Sequence, residues 1–286
     1  MRSCYHPRIK AHSTARTARI LLFLVPAILL LPYLIASPSA AAPSKRPGSP
    51  KAPGAKSTAP PVIVVGFVGG WVHDYNLVQS EVQLAMRLRS EYPSGLYAQI
   101  FENHKPRQAY RQIVRLLDTD RDGTLSSRER EEARIILYGH SFGASEAVTL
   151  ARRLEKDNIP VILTVMVDSV RKPGEDDSVI PANVTEAANF YQPHGIIHGR
   201  RDIRAADPTH TRILGNFKFD YAGKPLACGG YSWWDRYFTR QHTEIECDPT
   251  VWNRVENLIR EAIAGRNFAT QLSSSNEFDP KYVQPK

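Results

Sequence analysis

From residue 61 onward, apolar runs of strand length alternate with segments in which apolar residues recur at helical spacing. Val62-Ile63-Val64-Val65-Gly66-Phe67 is a continuous apolar run, which predicts a strand buried on both faces. The stretch 76–91 follows with Leu77, Leu84, Ala85 and Leu88 in helical register, and 97–101 then reads as a strand. Helix is predicted over 106–117, strand over 134–138, helix over 143–157 and strand over 161–167. Residues 249–264 form an amphipathic helix with Val251, Val255, Leu258, Ile259 and Ile263 on one face. Strands regularly separated by helices imply an α/β domain, here 61–265, with a mostly parallel central sheet covered on both faces. No internal repeat is present, and the tail 266–286 is polar.

The first 60 residues follow different rules. Met1–Arg19 carries five positive charges, and residues 20–36 run without a charge, interrupted by Pro26 and Pro32. A basic segment before an apolar one, with small residues at Ser39 and Ala41, is the pattern of an export signal over 1–42. Seventeen apolar residues also lie at the short end of what spans a bilayer, so an uncleaved N-terminal anchor is the other reading. Either one places the rest of the chain outside the cytoplasm, periplasmic or secreted. Residues 43–60 contain only Ala, Pro, Ser, Gly, Thr, Lys and Arg, a linker composition that cannot bury a core. Residues 20–60 are therefore a candidate tether to membrane or envelope. In an oxidising compartment, removal of Cys4 with the signal leaves Cys228 and Cys247, which can pair.

This partition changes what the net charge of +8 means. Residues 1–60 hold nine Lys and Arg and no Asp or Glu, while 61–286 hold 28 against 29. The domain is nearly neutral, so its basic overall balance is no argument for a nucleic-acid partner, which needs a basic patch on the folded part. A monomer with no organic cofactor is expected.

The candidate chemistry begins where the strand Arg134–Tyr138 runs into Gly139-His140-Ser141-Phe142-Gly143 and then into a helix. A serine on a sharp strand-to-helix turn projects its hydroxyl above the sheet. The glycines permit close backbone packing, and the helix N-terminus supplies unsatisfied N–H groups where an oxyanion would form. On these residues the chain resembles the α/β-hydrolase superfamily over most of 61–264, which implies a three-layer α/β-hydrolase-type sandwich. The resemblance also implies a serine hydrolase of the esterase, lipase or thioesterase type acting on a small-molecule or lipid ester or thioester. Its chain order of serine, acid, histidine points to Ser141 as nucleophile and to His242, just before the C-terminal helix, as general base. Two aspartates fit the acid. Asp168 ends the strand 161–167, as in the thioesterase domains of the superfamily, and Asp202 lies in Gly199-Arg200-Arg201-Asp202, as in most other members; Asp168 is preferred. The resemblance further implies an oxyanion hole from the backbone N–H groups of Phe142 and of a residue in the loop after the first strand, with Phe67 the first choice.

A second motif interrupts the hydrolase pattern. Residues 118–129 place Asp118, Asp120 and Asp122 at positions 1, 3 and 5, Gly123 at 6, Leu125 at 8 and Glu129 at 12. This spacing resembles an EF-hand loop, in which alternate side chains of a tight turn converge on a hard cation. Asp118, Asp120, Asp122, the Thr124 carbonyl and Glu129 would hold Ca2+, ordering the connection into the Ser141 strand. Ser126-x-x-Glu129 is at the same time a helix capping box.

Trp71, Phe142, Trp233 and Trp234 read first as core aromatics and secondarily as pocket lining. The alternative function is a catalytically silent, calcium-stabilised envelope-binding protein of the same fold.

Overall fold

The computed structural model describes residues 60–265; the export segment, the linker through residue 59 and the 266–286 tail lie outside the described residues. Six strands, β1 (Val62–Val68), β2 (Leu96–Glu102), β3 (Ile135–His140), β4 (Val161–Val167), β6 (Val184–Tyr191) and β8 (Arg212–Lys218), form one parallel sheet in the order β2-β1-β3-β4-β6-β8. The two-residue strands β5 (Val179–Ile180) and β7 (Arg204–Ala205) pair separately. Sheet registry explains the apolar runs. Val62, Val64, Ile136, Tyr138, Leu163 and Val165 point to one face, where they pack with residues of α1 (Ser80–Glu91) and α7 (Pro249–Ile263). Ile63, Val65, Phe67, Ile135 and Leu137 point to the other, against α2 (Pro106–Leu117) and α4 (Phe142–Lys156). The result is a three-layer α/β-hydrolase-type sandwich with a parallel central sheet. Three shorter helices complete it: α3 (Ser127–Glu131), α5 (Trp233–Phe238) and α6 (Arg240–Cys247).

The order of strands fixes where a ligand can sit. The chain leaves β1 for β2 on one side and reaches β3 on the other, so the loops after β1 and β3 part and open a crevice at the carboxyl ends of these strands. Those loops carry Gly69-Gly70 and Ser141.

Several sequence expectations are shifted. Helix α1 begins at Ser80 rather than 76, because 76–79 is a turn in which Asn76 Oδ1 accepts the Val78 N–H at 3.1 Å, leaving Leu77 exposed. Strand β8 and helices α5 and α6 are elements that the hydrophobic pattern does not predict. Cys228 and Cys247 are disulfide-bonded with their Cα atoms 5.7 Å apart, clamping the end of α6 to the preceding loop. Among the described residues, no helix is long and apolar enough to cross a membrane.

Candidate active site

Ser141 joins β3 to α4 with φ 58° and ψ −127°, a conformation that a non-glycine residue adopts only when its surroundings enforce it. The enforcement is visible. A Cβ on Gly139 would come within 2.5 Å of the Gly143 carbonyl carbon, and one on Gly143 would overlap the Phe67 carbonyl. The two glycines thus let the turn close against β1. Ser141 N–H donates to the Val167 carbonyl at 3.0 Å, and Val170 N–H donates to the Ser141 carbonyl at 3.2 Å, tying the elbow to the end of β4.

Asp168 stands at that end, fully buried and also at positive φ, 44°. Four donors converge on its carboxylate. Oδ1 accepts the Gly199 N–H at 2.7 Å and the Gln192 N–H at 3.1 Å; Oδ2 accepts Gln192 Nε2 at 2.9 Å and lies 2.6 Å from His242 Nδ1. A bond from Nδ1–H leaves His242 Nε2 free to accept a proton. Gly199 is required here, because a Cβ at that position would overlap the Asp168 carboxylate. Asp202, the other aspartate considered, is exposed. The structure thus brings Asp168 and His242 together and leaves Asp202 at the surface. His242 itself is buried and sits in the first turn of helix α6, not in a loop.

Ser141 and His242 line the same cavity, of about 210 Å3, together with Gly69, Gly70, Phe142 and Tyr231. Among the described residues no hydrogen bond joins Ser141 Oγ to His242; such bonds are commonly long before substrate arrives. Phe142 N–H, at the start of α4, has no acceptor among the described residues. Phe67 lies inside β1, in register with Phe101 and Gly139 on the flanking strands, so its backbone belongs to the ladder; Gly69 and Gly70 line the cavity instead. A Cβ at Gly69 would meet Ser141 Cβ at 2.8 Å. Asn103 fixes this loop by donating from Nδ2 to the carbonyls of Val68 and Gly70.

Two supports have no motif that could have exposed them. Asn103 is one. The other is buried Asp177, which accepts Ser169 Oγ at 2.5 Å and Arg200 Nε at 2.7 Å, pinning the residues after Asp168 and Gly199 to each other.

The core assignment of three tryptophans is overturned. Trp71 is 88% exposed, and Trp233 and Trp234, on the short helix α5 outside the sheet layers, are likewise exposed, with Tyr237 beside them. Phe142 is half-buried on the cavity wall. Asp235 in the first turn of α5 and Thr239 just beyond its end also line the cavity, so the helix that carries the exposed aromatics borders it. A larger recess of about 820 Å3 beside Arg152, Arg153 and Lys156 contains none of these groups.

In the 118–129 loop, Asp118, Asp120 and Glu129 each bring one carboxylate oxygen within 4.8 Å of the others. Gly123 has φ 87°, and Asp118 accepts the N–H groups of Asp122 and Gly123 at 3.1 Å each, which draws the turn tight. Asp122 is not part of that group: its Oδ1 accepts from Thr124 N–H and Oγ1. Glu129 Oε2 closes the capping box with Ser126 while Oε1 accepts from Thr119, and these bonds hold its carboxyl down to about 2. Three of the four expected carboxylates therefore converge.

No family model matches the chain, and no curated protein matches it. Among solved structures, the chain is similar to an acetylxylan esterase determined at 0.90 Å, with a TM-score of 0.35 and 10% identity over 72% of this chain and 100% of that one. An iodinated complex of acetyl xylan esterase matches with a TM-score of 0.35 and 10% identity over 71% of this chain and 99% of that one.

Proposed function

We propose that the protein is a serine hydrolase that cleaves a carboxylic ester or thioester through an acyl-enzyme on Ser141. The observation that carries this reading is the His242 Nδ1 to Asp168 Oδ2 contact of 2.6 Å on one wall of the cavity that also contains the strained Ser141. In this mechanism His242 Nε2 takes the Ser141 proton as Oγ attacks the carbonyl carbon, and Asp168 fixes the imidazole tautomer and stabilises its cation. Phe142 N–H and an N–H of the Gly69-Gly70 loop stabilise the oxyanion. His242 then protonates the leaving alcohol or thiol, and water, deprotonated by the same imidazole, releases the acid.

A cavity of about 210 Å3 favours a short acyl group, with the leaving group lying over the exposed aromatic rim. The test is hydrolysis of p-nitrophenyl esters from acetate to palmitate by wild type and Ser141→Ala. Serine-dependent turnover with an optimum at short chains is expected. A serine-reactive phosphonate that fails to label Ser141 would support the silent binding protein instead.

The proposal extends to a structural Ca2+ held by Asp118, Asp120 and Glu129, with Asp122 and the Thr124 carbonyl completing the oxygen set. Bound there, the ion would neutralise the clustered carboxylates and stiffen the connection from α2 to β3. It also extends to export directed by residues 1–42, which cell fractionation tests.

A further inference from the structure

Beside the catalytic candidates lies a second cluster that the triad does not use. Glu81 in the first turn of α1, His140 at the end of β3 and Glu246 near the end of α6 are all buried, and each places one side-chain atom within 4.8 Å of the others. Their partners are unequal. Glu246 Oε1 accepts the Ser80 N–H at 2.9 Å and the Tyr231 hydroxyl at 3.3 Å, and Oε2 lies 3.3 Å from His140 Nδ1. Among the described residues, both oxygens of Glu81 are buried without a formed hydrogen bond, and the only N–H groups near enough to favour its charge are those of the Glu81 and His140 backbone. The titratable groups facing the two carboxyls are His140 and Tyr138 from β3, His242 from α6 and Tyr231 from the loop before α5. No lysine or arginine is among them. Two touching carboxyls in such a place cannot both ionise, so they share a proton.

We infer that Glu81 is a protonated carboxylic acid at neutral pH that donates to Glu246, and that this acid–carboxylate pair positions His140 against His242. The donors decide which member carries the charge. The N-terminal N–H of α1 and the Tyr231 hydroxyl point at Glu246, so the carboxylate is stabilised there. Glu81 makes no hydrogen bond of that kind and is favoured only by the nearby N–H groups of Glu81 itself and His140, and as an acid its O–H finds an acceptor in the Glu246 carboxylate. Burial pushes both carboxyls up and His140 well down, so His140 is neutral, with its Nδ1 3.3 Å from Glu246 Oε2. The His140 ring centroid lies 4.4 Å from that of His242. The pair therefore presents one negative charge, held at a fixed place, to the imidazolium that forms on His242. This role rests on the reading of Ser141 and His242 as nucleophile and base.

The first test needs no activity. Infrared spectra of the full chain at pH 8, where Glu146 at about 7 has given up its proton, should retain a protonated-carboxyl band that shifts in deuterium oxide and disappears in Glu81→Gln. Absence of the band in the wild-type chain overturns the inference whatever the variant does. The second test is the pH profile of kcat/KM. Glu81→Gln keeps the pair's charge and leaves the acid limb in place. Glu246→Gln removes the charge and moves the limb to lower pH by about one unit, a tenfold fall in His242 proton affinity. Equal shifts in both variants would mean that Glu81 is ionised. A stoichiometric transition metal in the wild-type chain that is lost in Glu81→Gln would make the cluster a metal site and refute the shared proton. If no ester is turned over, the function proposal fails while the infrared result still decides the protonation of Glu81, and the pH dependence of phosphonate labelling at Ser141 replaces the profile.

Discussion

Replacing Asp168 by Asn changes one oxygen to NH2, and the four donors around the carboxylate determine the consequence. The amide can put its single oxygen at the Oδ1 seat, satisfying the Gly199 and Gln192 N–H groups, or at the Oδ2 seat, satisfying Gln192 Nε2 and His242. The second choice leaves two buried backbone donors facing an NH2 group, at about 1–3 kcal/mol each. The first costs less, because Gln192 Nε2 keeps its bond to the Ile197 carbonyl and His242 can change tautomer. His242 then accepts at Nδ1 and carries its proton on Nε2, where it cannot take the proton of Ser141. The fold should survive, with a stability loss of about 1–3 kcal/mol from weakened charge-assisted bonds. Turnover should not: a wrong tautomer costs about 10^4 in kcat, equivalent to about 5.4 kcal/mol of transition-state stabilisation. The assay is kcat/KM on a short p-nitrophenyl ester, with circular dichroism and Tm as controls and Asp202→Asn alongside. An Asp168→Asn enzyme within tenfold of wild type, or an Asp202→Asn enzyme equally impaired, would refute the assignment of the acid.

Other perturbations test separate parts of the site. Gly69→Ala places a methyl against Ser141 Cβ and should lower kcat more than Tm, measured on the same ester. Chelation should lower Tm in wild type and leave the Tm of Asp118→Ala unchanged; identical thermograms with and without EDTA would remove Ca2+ from the proposal. Glu146 is buried beside Lys172 and pushed up to about 7 by burial, so the native state binds its proton more tightly than the unfolded chain. Its contribution is most favourable below about pH 4.5 and is lost as pH rises towards 7, amounting to about 2–4 kcal/mol. Denaturant midpoints of Glu146→Gln should accordingly gain on wild type between pH 5 and pH 8. Opening the Cys228–Cys247 bond, which spans 19 residues, should cost about 3 kcal/mol and reduce activity as well, because α6 carries His242.

The sheet and the elbow were legible because each rests on a short local rule. Continuous apolar runs mark strands buried on both faces, and Gly139-x-Ser141-x-Gly143 encodes a turn that only glycines allow. The candidate acid was harder to choose, since Asp168 and Asp202 both follow strand-like segments. What separates them is the long-range convergence of Gln192, Gly199 and His242, which no local pattern records. The choice of Phe67 depended on where β1 ends: the strand includes Val68, and the backbone that lines the cavity is that of Gly69-Gly70. Asp122 shows the limit of motif spacing, for a side chain in the right place can still turn to the nearer Thr124 donors.

The site is assembled from two strained residues at adjacent strand ends. Ser141 after β3 and Asp168 after β4 both take positive φ, at about 1–3 kcal/mol each, and neighbouring parallel strands put them at the same level of the sheet. Each strain is held by glycines elsewhere: Gly139 and Gly143 let β1 and α4 close on the serine, and Gly199 lets its backbone reach the aspartate. The two elbows are also bonded to each other through Ser141 N–H to Val167 and Val170 N–H to Ser141, so neither can relax alone. His242 belongs to neither strand. It arrives on α6, whose far end is tied down by the disulfide and by Ser80, which donates its N–H to the Glu246 carboxylate and its hydroxyl to the Glu246 carbonyl. His242 is thus positioned by the periphery and Ser141 by the sheet. Damage to the disulfide or to the Glu246 contacts should therefore displace His242 while leaving the Ser141 elbow formed.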